Sequence, residues 1–98
     1  MKVMLVCGAG MSTSILMNKM LKYAKENGID LQAMAYGFTE APDHLEEFDC
    51  IMIGPQAAYR IEEIRKQTDK PCAVIKSIDY GMGNAANVIK AAQELIGV

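Results

Sequence analysis

Cysteine is the residue in this chain whose chemistry depends most on its neighbours, and the three cysteines, at positions 7, 50 and 72, have different ones. Cys7 closes the apolar run Val3-Met4-Leu5-Val6-Cys7 and is followed by Gly8-Ala9-Gly10-Met11-Ser12-Thr13-Ser14. A strand, a glycine-bearing loop and a helix start together make an anion cradle. Glycines let the backbone turn so that successive N–H groups point inward. The helix N-terminus adds partial positive charge, and Ser12, Thr13 and Ser14 add hydroxyl donors. A thiol at the mouth of such a cradle feels the same field. With an ordinary pKa of ~8.5 it is only a few per cent thiolate at pH 7. A shift of ~2 units corresponds to ~2.7 kcal/mol of preferential anion stabilisation, which several amides and a helix end can supply. The chemistry to expect is a thiolate attacking phosphorus, with the S-phosphate held by the loop amides.

Helix capping accounts for one of the three hydroxyl residues. The spacing gives neither GxGxxG nor GxxxxGK[ST], so a dinucleotide or nucleotide-hydrolase loop is disfavoured. Cys50 and Cys72 fall near the starts of their strands, whereas Cys7 falls at the end of its own. In a parallel sheet those are opposite edges, about 15 Å apart for a five-residue strand. A disulfide needs Cα atoms within ~7 Å, so neither pairs with Cys7, and both read as small buried hydrophobes. With one histidine, His44, and no CxxC, a metal site is not expected, and no cofactor is implied.

The elements that must position Cys7 follow from periodicity. Continuous apolar runs at 3–7 and 49–54 read as strands buried on both faces. Residues 31–36 suit an edge strand, and 71–75 make a fourth. From about Ser12, Leu16, Met20 and Ala24 recur every four residues, with Ile15 and Leu21 beside them, and Asn27-Gly28 is a helix stop. Residues 37–47 form a polar connection or short turn, which contains His44, read as a solvated loop residue. Pro55 sits where a first helical turn tolerates proline, and Ala57, Ile61 and Ile64 line one face of the helix after it. Gly81 and Gly83 mark a loop that carries Asp79 and Tyr80. Ala85, Val88, Ile89, Ala92, Leu95 and Ile96 give the strongest helical stripe. The order is β-α-β-β-α-β-α. It predicts an α/β three-layer sandwich with a four-stranded parallel sheet in strand order 2-1-3-4. The switch point of that order lies between the strands ending at Cys7 and Gly54.

The chain has 98 residues, 51% of them apolar, so residues 1–98 read as a single domain. Ten Lys and Arg face twelve Asp and Glu, a formal charge of -2, with no basic cluster. That argues against nucleic-acid binding. No apolar run approaches the ~20 residues that span a bilayer, so direct membrane insertion is not expected. The first residues already look like a strand rather than a secretory signal, so an intracellular protein is expected.

The segment CGAGMSTS after a short N-terminal strand resembles the phosphorylation loop of the enzyme IIB component of the sugar phosphotransferase system (PTS), lactose/cellobiose (chitobiose) family. Gly54-Pro55-Gln56, with Tyr59 behind it, resembles that family's GPQ-x-x-Y segment, and Tyr80-Gly81 resembles its YG loop. The resemblance covers the whole chain. It implies a cytoplasmic phosphocarrier acting in sugar transport, peripheral to the membrane, with a phosphotyrosine-phosphatase-like loop. Cys7 would accept a phosphoryl group from phosphohistidine of a IIA protein. It would pass it to a cellobiose-like or chitobiose-like disaccharide bound by the membrane component IIC. That makes the chain a protein-phosphocysteine–sugar phosphotransferase. Gly8, Ala9, Gly10, Met11, Ser12, Thr13 and Ser14 would bind the phosphate. Pro55, Gln56, Tyr59, Tyr80 and Met82 are candidates for the rim and for partner contacts, with Pro55, Tyr80, Met11 and Met82 as an apolar ring.

Two other readings use the same scaffold. One is a low-molecular-weight phosphatase or arsenate-reductase-like hydrolase, whose loop resembles C-x5-R-[ST]; here Thr13 stands where the arginine belongs. The other is a regulatory domain without activity, against which an intact Cys7 speaks. Asp79 would be the general acid of a hydrolase and otherwise a loop carboxylate.

Overall fold

The computed structural model describes residues 1–8 and 11–97, with Met11 and Ser12 described by their backbone alone. Strand β1 spans Lys2–Cys7, helix α1 Met11–Glu26, and strand β2 Gln32–Gly37. Two 3-10 turns, Ala41–Asp43 and Leu45–Glu47, lead to β3, Cys50–Ile53. A 3-10 segment, Pro55–Arg60, runs into the short helix α2, Ile61–Arg65. Strand β4, Cys72–Val74, helix α3, Ser77–Met82, and helix α4, Ala85–Ile96, complete the chain. The described strands form one parallel sheet in the order β2-β1-β3-β4, as the alternation of elements predicts.

The apolar runs become central strands because both of their faces are covered. Val3 and Leu5 of β1, with Cys50 and Met52 of β3, pack against α1 (Leu16, Met20, Ala24) and α4 (Ala85, Val88, Ile89, Ala92). Met4, Val6, Ile51 and Ile53 face the other way, onto Phe38, Ala41, Leu45, Phe48, Ala57 and Ile64. Each large side chain buried here stabilises the fold by about 1.5–3 kcal/mol. The helical stripe of α4 is therefore a core face, as its spacing predicts.

Three local expectations change. The segment holding Asp79, Tyr80 and Gly81 is not a loop but α3, a helix of less than two turns. It ends at Gly83, whose φ of 61° only glycine adopts without strain. The Lys19 side chain lies over Gly83, against the C-terminal carbonyl end of α3. Pro55 does open a helical segment, but as 3-10 turns broken at Ala57, whose φ of -113° is not helical. His44 is not simply solvated: its ring stacks on Tyr36 at 4.6 Å and its Nδ1 meets Glu47 Oε2 at 2.8 Å.

Cys50 faces the α1/α4 layer and Cys72 the opposite one, and both are free thiols. Burial, reinforced by the Asp49 carboxylate, pushes Cys50 from 9.0 up to about 12. Burial also raises Cys72, against the opposing pull of the Arg65 guanidinium. Above pH 9 the unfolded chain releases the Cys50 proton while the folded chain keeps it, so stability falls as pH rises from 9 towards 12. Cys50→Ala should lose on the order of 2 kcal/mol less than the parent between about pH 8 and about pH 11. Urea midpoints at the two pH values check this; equal losses would place the ionisation elsewhere.

Candidate functional site

Cys7 is the last residue of β1 and pairs in register with Gly37 of β2. Its sulfur leaves the sheet where α1 begins. Thr13, in the first turn of α1, is completely buried, and its hydroxyl donates to the Cys7 sulfur at 3.7 Å. Sulfur accepts over longer distances than oxygen, so this is a true contact. Ser14 follows on the same turn and is half-buried.

Gly54 supplies the opposing wall. Its N–H donates to Val6 O at 2.9 Å, so the exit of β3 is fixed against the exit of β1. A Cβ at position 54 would lie 3.6 Å from Cys7 Cβ, 3.7 Å from Thr13 Cγ2 and 3.1 Å from Gln56 Oε1. The last distance is too short for ordinary contact. Glycine at 54 therefore lets the Gln56 carboxamide fold back over the spot that Cys7 and Thr13 flank. Of the residues predicted for the site, Cys7, Thr13 and Gln56 converge here. Ala9 and Gly10, and the side chains of Met11 and Ser12, lie outside the described residues.

Cys7 is only 3% exposed. A thiol standing open at a loop mouth was the expectation, and the difference has a plain cause. Cys7 still belongs to the β1 ladder, and Thr13 and Gly54 close in on it from either side. Gly8 beside it is exposed, and nothing lies within 4 Å of where its Cβ would be.

The rim is more apolar than the motifs indicated. Among the described residues six large apolar side chains are exposed. Met34 and Val74 belong to the edge strands. The other four, Ile15 (66%), Tyr59 (83%), Ile78 (69%) and Met82 (72%), sit on α1, the segment after β3 and α3. All three elements start at the carboxyl edge that carries Cys7. Tyr59 and Met82 were expected on the rim; Ile15 and Ile78 were not. Ile15 was expected beside the Leu16-Met20-Ala24 stripe, but it lies one residue off it and faces outward. Pro55 is half-buried. Tyr80 packs inward against the α1/α4 core rather than standing on the rim. Asp79 Oδ1 accepts from Asn87 Nδ2 at 3.0 Å, which ties α3 to α4. A groove of about 540 Å³ lies apart from this site, between β4 and α4, lined among others by Val74, Lys76, Asp79, Lys90 and Glu94.

Comparison with known proteins agrees with this fold. The family described as "PTS system, Lactose/Cellobiose specific IIB subunit" matches residues 2–91. The oligo-beta-mannoside-specific EIIB component of Bacillus subtilis (strain 168) is 33% identical over 98 residues, covering 97% of this chain and 95% of that protein. The solution structure of the cellobiose-specific phosphotransferase IIB component from Borrelia burgdorferi superposes with a TM-score of 0.83 at 37% identity, covering 99% of this chain and 92% of that one. A lactose-specific EIICB component of Lactococcus lactis subsp. lactis is 31% identical over 68 residues, which is 69% of this chain but 12% of that longer protein.

Removing the Thr13 hydroxyl should slow the sulfur without unfolding the chain. One hydrogen bond of about 1 kcal/mol corresponds to about fivefold in rate. Thr13→Val should therefore react about fivefold more slowly with iodoacetamide at Cys7, followed by peptide mass spectrometry at about pH 7. An unchanged rate would mean that the hydroxyl does not act on the sulfur.

Proposed function

Because the chain belongs to the lactose/cellobiose-specific IIB family of the sugar phosphotransferase system, we propose that Cys7 carries its phosphoryl group. The observation behind this is the pairing of the Cys7 sulfur with the buried Thr13 hydroxyl, at the sheet edge where a helix N-terminus begins. The Cys7 thiolate attacks the phosphorus of a phosphohistidine on a IIA protein. An S–P bond forms as the P–N bond breaks, and its electron pair returns to the imidazole. A sugar hydroxyl held by IIC then attacks the same phosphorus. The O–P bond forms, the S–P bond breaks, the hydroxyl proton passes to water, and the thiolate is restored for another cycle. Gly8, Ala9, Gly10, Met11, Ser12, Thr13 and Ser14 hold the phosphoryl oxygens, and Gln56 stands over them as a further amide donor.

The exposed apolar side chains support this reading. A carrier must let two proteins reach one sulfur in turn, and Ile15, Tyr59, Ile78 and Met82 are exposed on elements that start at the carboxyl edge carrying Cys7, a surface suited to transient docking. A IIC partner is supported by the fused lactose-specific relative. Among the described residues no helix is long and apolar enough to cross a membrane. The chain then works at the cytoplasmic face of the membrane through IIC. The relatives carry the names of oligo-beta-mannoside, cellobiose and lactose on one fold. A β-linked disaccharide is the natural substrate class, and its selection belongs to IIC.

The hydrolase reading is weaker at position 13. A phosphatase arginine would bind the transferring oxygens bidentately and stabilise attack by water. Thr13 is instead packed inward beside Gly54, where a guanidinium would displace its neighbours.

Incubation with a phosphorylated IIA of this family should add one phosphoryl group by intact mass. Cys7→Ser should abolish it, and Cys50→Ala and Cys72→Ala should retain it. Rapid release of inorganic phosphate from an aryl phosphate would favour the hydrolase. Replacing Tyr59 and Met82 together by Ser should raise the IIA concentration giving half-maximal transfer by about tenfold, with an unchanged melting temperature. An unchanged IIA requirement would move the docking face elsewhere.

A further inference from the structure

Tyr80 presents an unexplained feature. Its hydroxyl is the one buried side-chain nitrogen or oxygen without a hydrogen-bond partner among the described residues. The ring packs against the layer formed by α1 and α4, with Leu16, Met20, Ile75 and Val88 in the same cluster. Phenylalanine would supply that packing without enclosing an unpaired hydroxyl, which destabilises a fold.

Its placement links it to Cys7. Tyr80 belongs to α3, which starts at the carboxyl edge of the sheet, where β1 ends at Cys7. Val3 and Leu5 of β1 face the layer that Tyr80 packs into. Strand alternation turns the Cys7 side chain to that same face. The unpaired donor and the sulfur thus share one edge and one face. A neutral thiol offers a distant hydroxyl little, whereas a phosphoryl group there adds oxygens that reach further and bind donors strongly.

We propose that the Tyr80 hydroxyl is a donor held for the phosphorylated state: unpaired at rest, and hydrogen-bonded to a phosphoryl oxygen once Cys7 is modified. The hydroxyl keeps its proton throughout. This rests on the reading of Cys7 as the phosphorylated cysteine.

The test compares the parent protein with Tyr80→Phe, each phosphorylated by a phosphohistidine-bearing IIA of this family. Unphosphorylated Tyr80→Phe should melt at the parental temperature or above it. Once phosphorylated, it should hydrolyse about tenfold faster than the parent, and its ³¹P resonance should be displaced. A melting temperature several degrees lower before phosphorylation would make the hydroxyl structural and overturn the proposal. Identical half-lives and ³¹P resonances would overturn it too, while leaving Cys7 as the carrier. A parent protein that accepts no phosphoryl group at all would bring down the Cys7 reading, and this inference with it.

Discussion

The hydrogen bond from Gly54 N–H to Val6 O fixes two strand exits side by side. Much else depends on it. In the order β2-β1-β3-β4 the chain leaves β1 towards the α1 face and leaves β3 towards the opposite one. Between diverging connections a sheet leaves a crevice at its carboxyl edge. Here the crevice is narrow because residue 54 has no side chain. One wall is Cys7 with Thr13, the other is the turn into Pro55 and Gln56. A larger residue at 54 would separate the walls and take the carboxamide away from the sulfur.

The sequence made the strands and the long helices legible for a simple reason: burial on both faces leaves continuous apolar runs, and one-sided burial leaves a stripe. Cys7 was likewise separable from Cys50 and Cys72, because strand direction alone assigns them to opposite edges. The short elements were less readable. Helix α3 contains Gly81, a poor helix former, and its support comes from the Gly83 stop, the Lys19 side chain and the Asp79–Asn87 bond. None of these is visible in a window of six residues. The enclosure of Cys7 was missed for the same reason, since Thr13 and Gly54 reach it only through tertiary packing. His44 was read as solvated because its own segment is polar, and its stacking partner Tyr36 belongs to another element. Of the loop motif, Ala9 and Gly10 lie outside the described residues.

The proposed role of Cys7 also implies that a shared architecture is turned from hydrolysis towards carriage. A strand, a loop and a helix start supply anion binding on their own. What a hydrolase adds is a charged fork that steadies water's attack on the covalent intermediate. Thr13 offers a single hydroxyl, directed at the Cys7 sulfur.

The positions of the other two thiols have a consequence for the chain's durability. A chain containing three thiols risks crosslinking itself under oxidising conditions. Cys50 and Cys72 begin their strands, far from the end of β1, and they face opposite sides of the sheet. Neither reaches Cys7 without dismantling the sheet, so oxidation has no short route to a bridge that involves Cys7. The same spacing keeps Cys7, the sulfur proposed to carry the phosphoryl group, apart from the other two thiols.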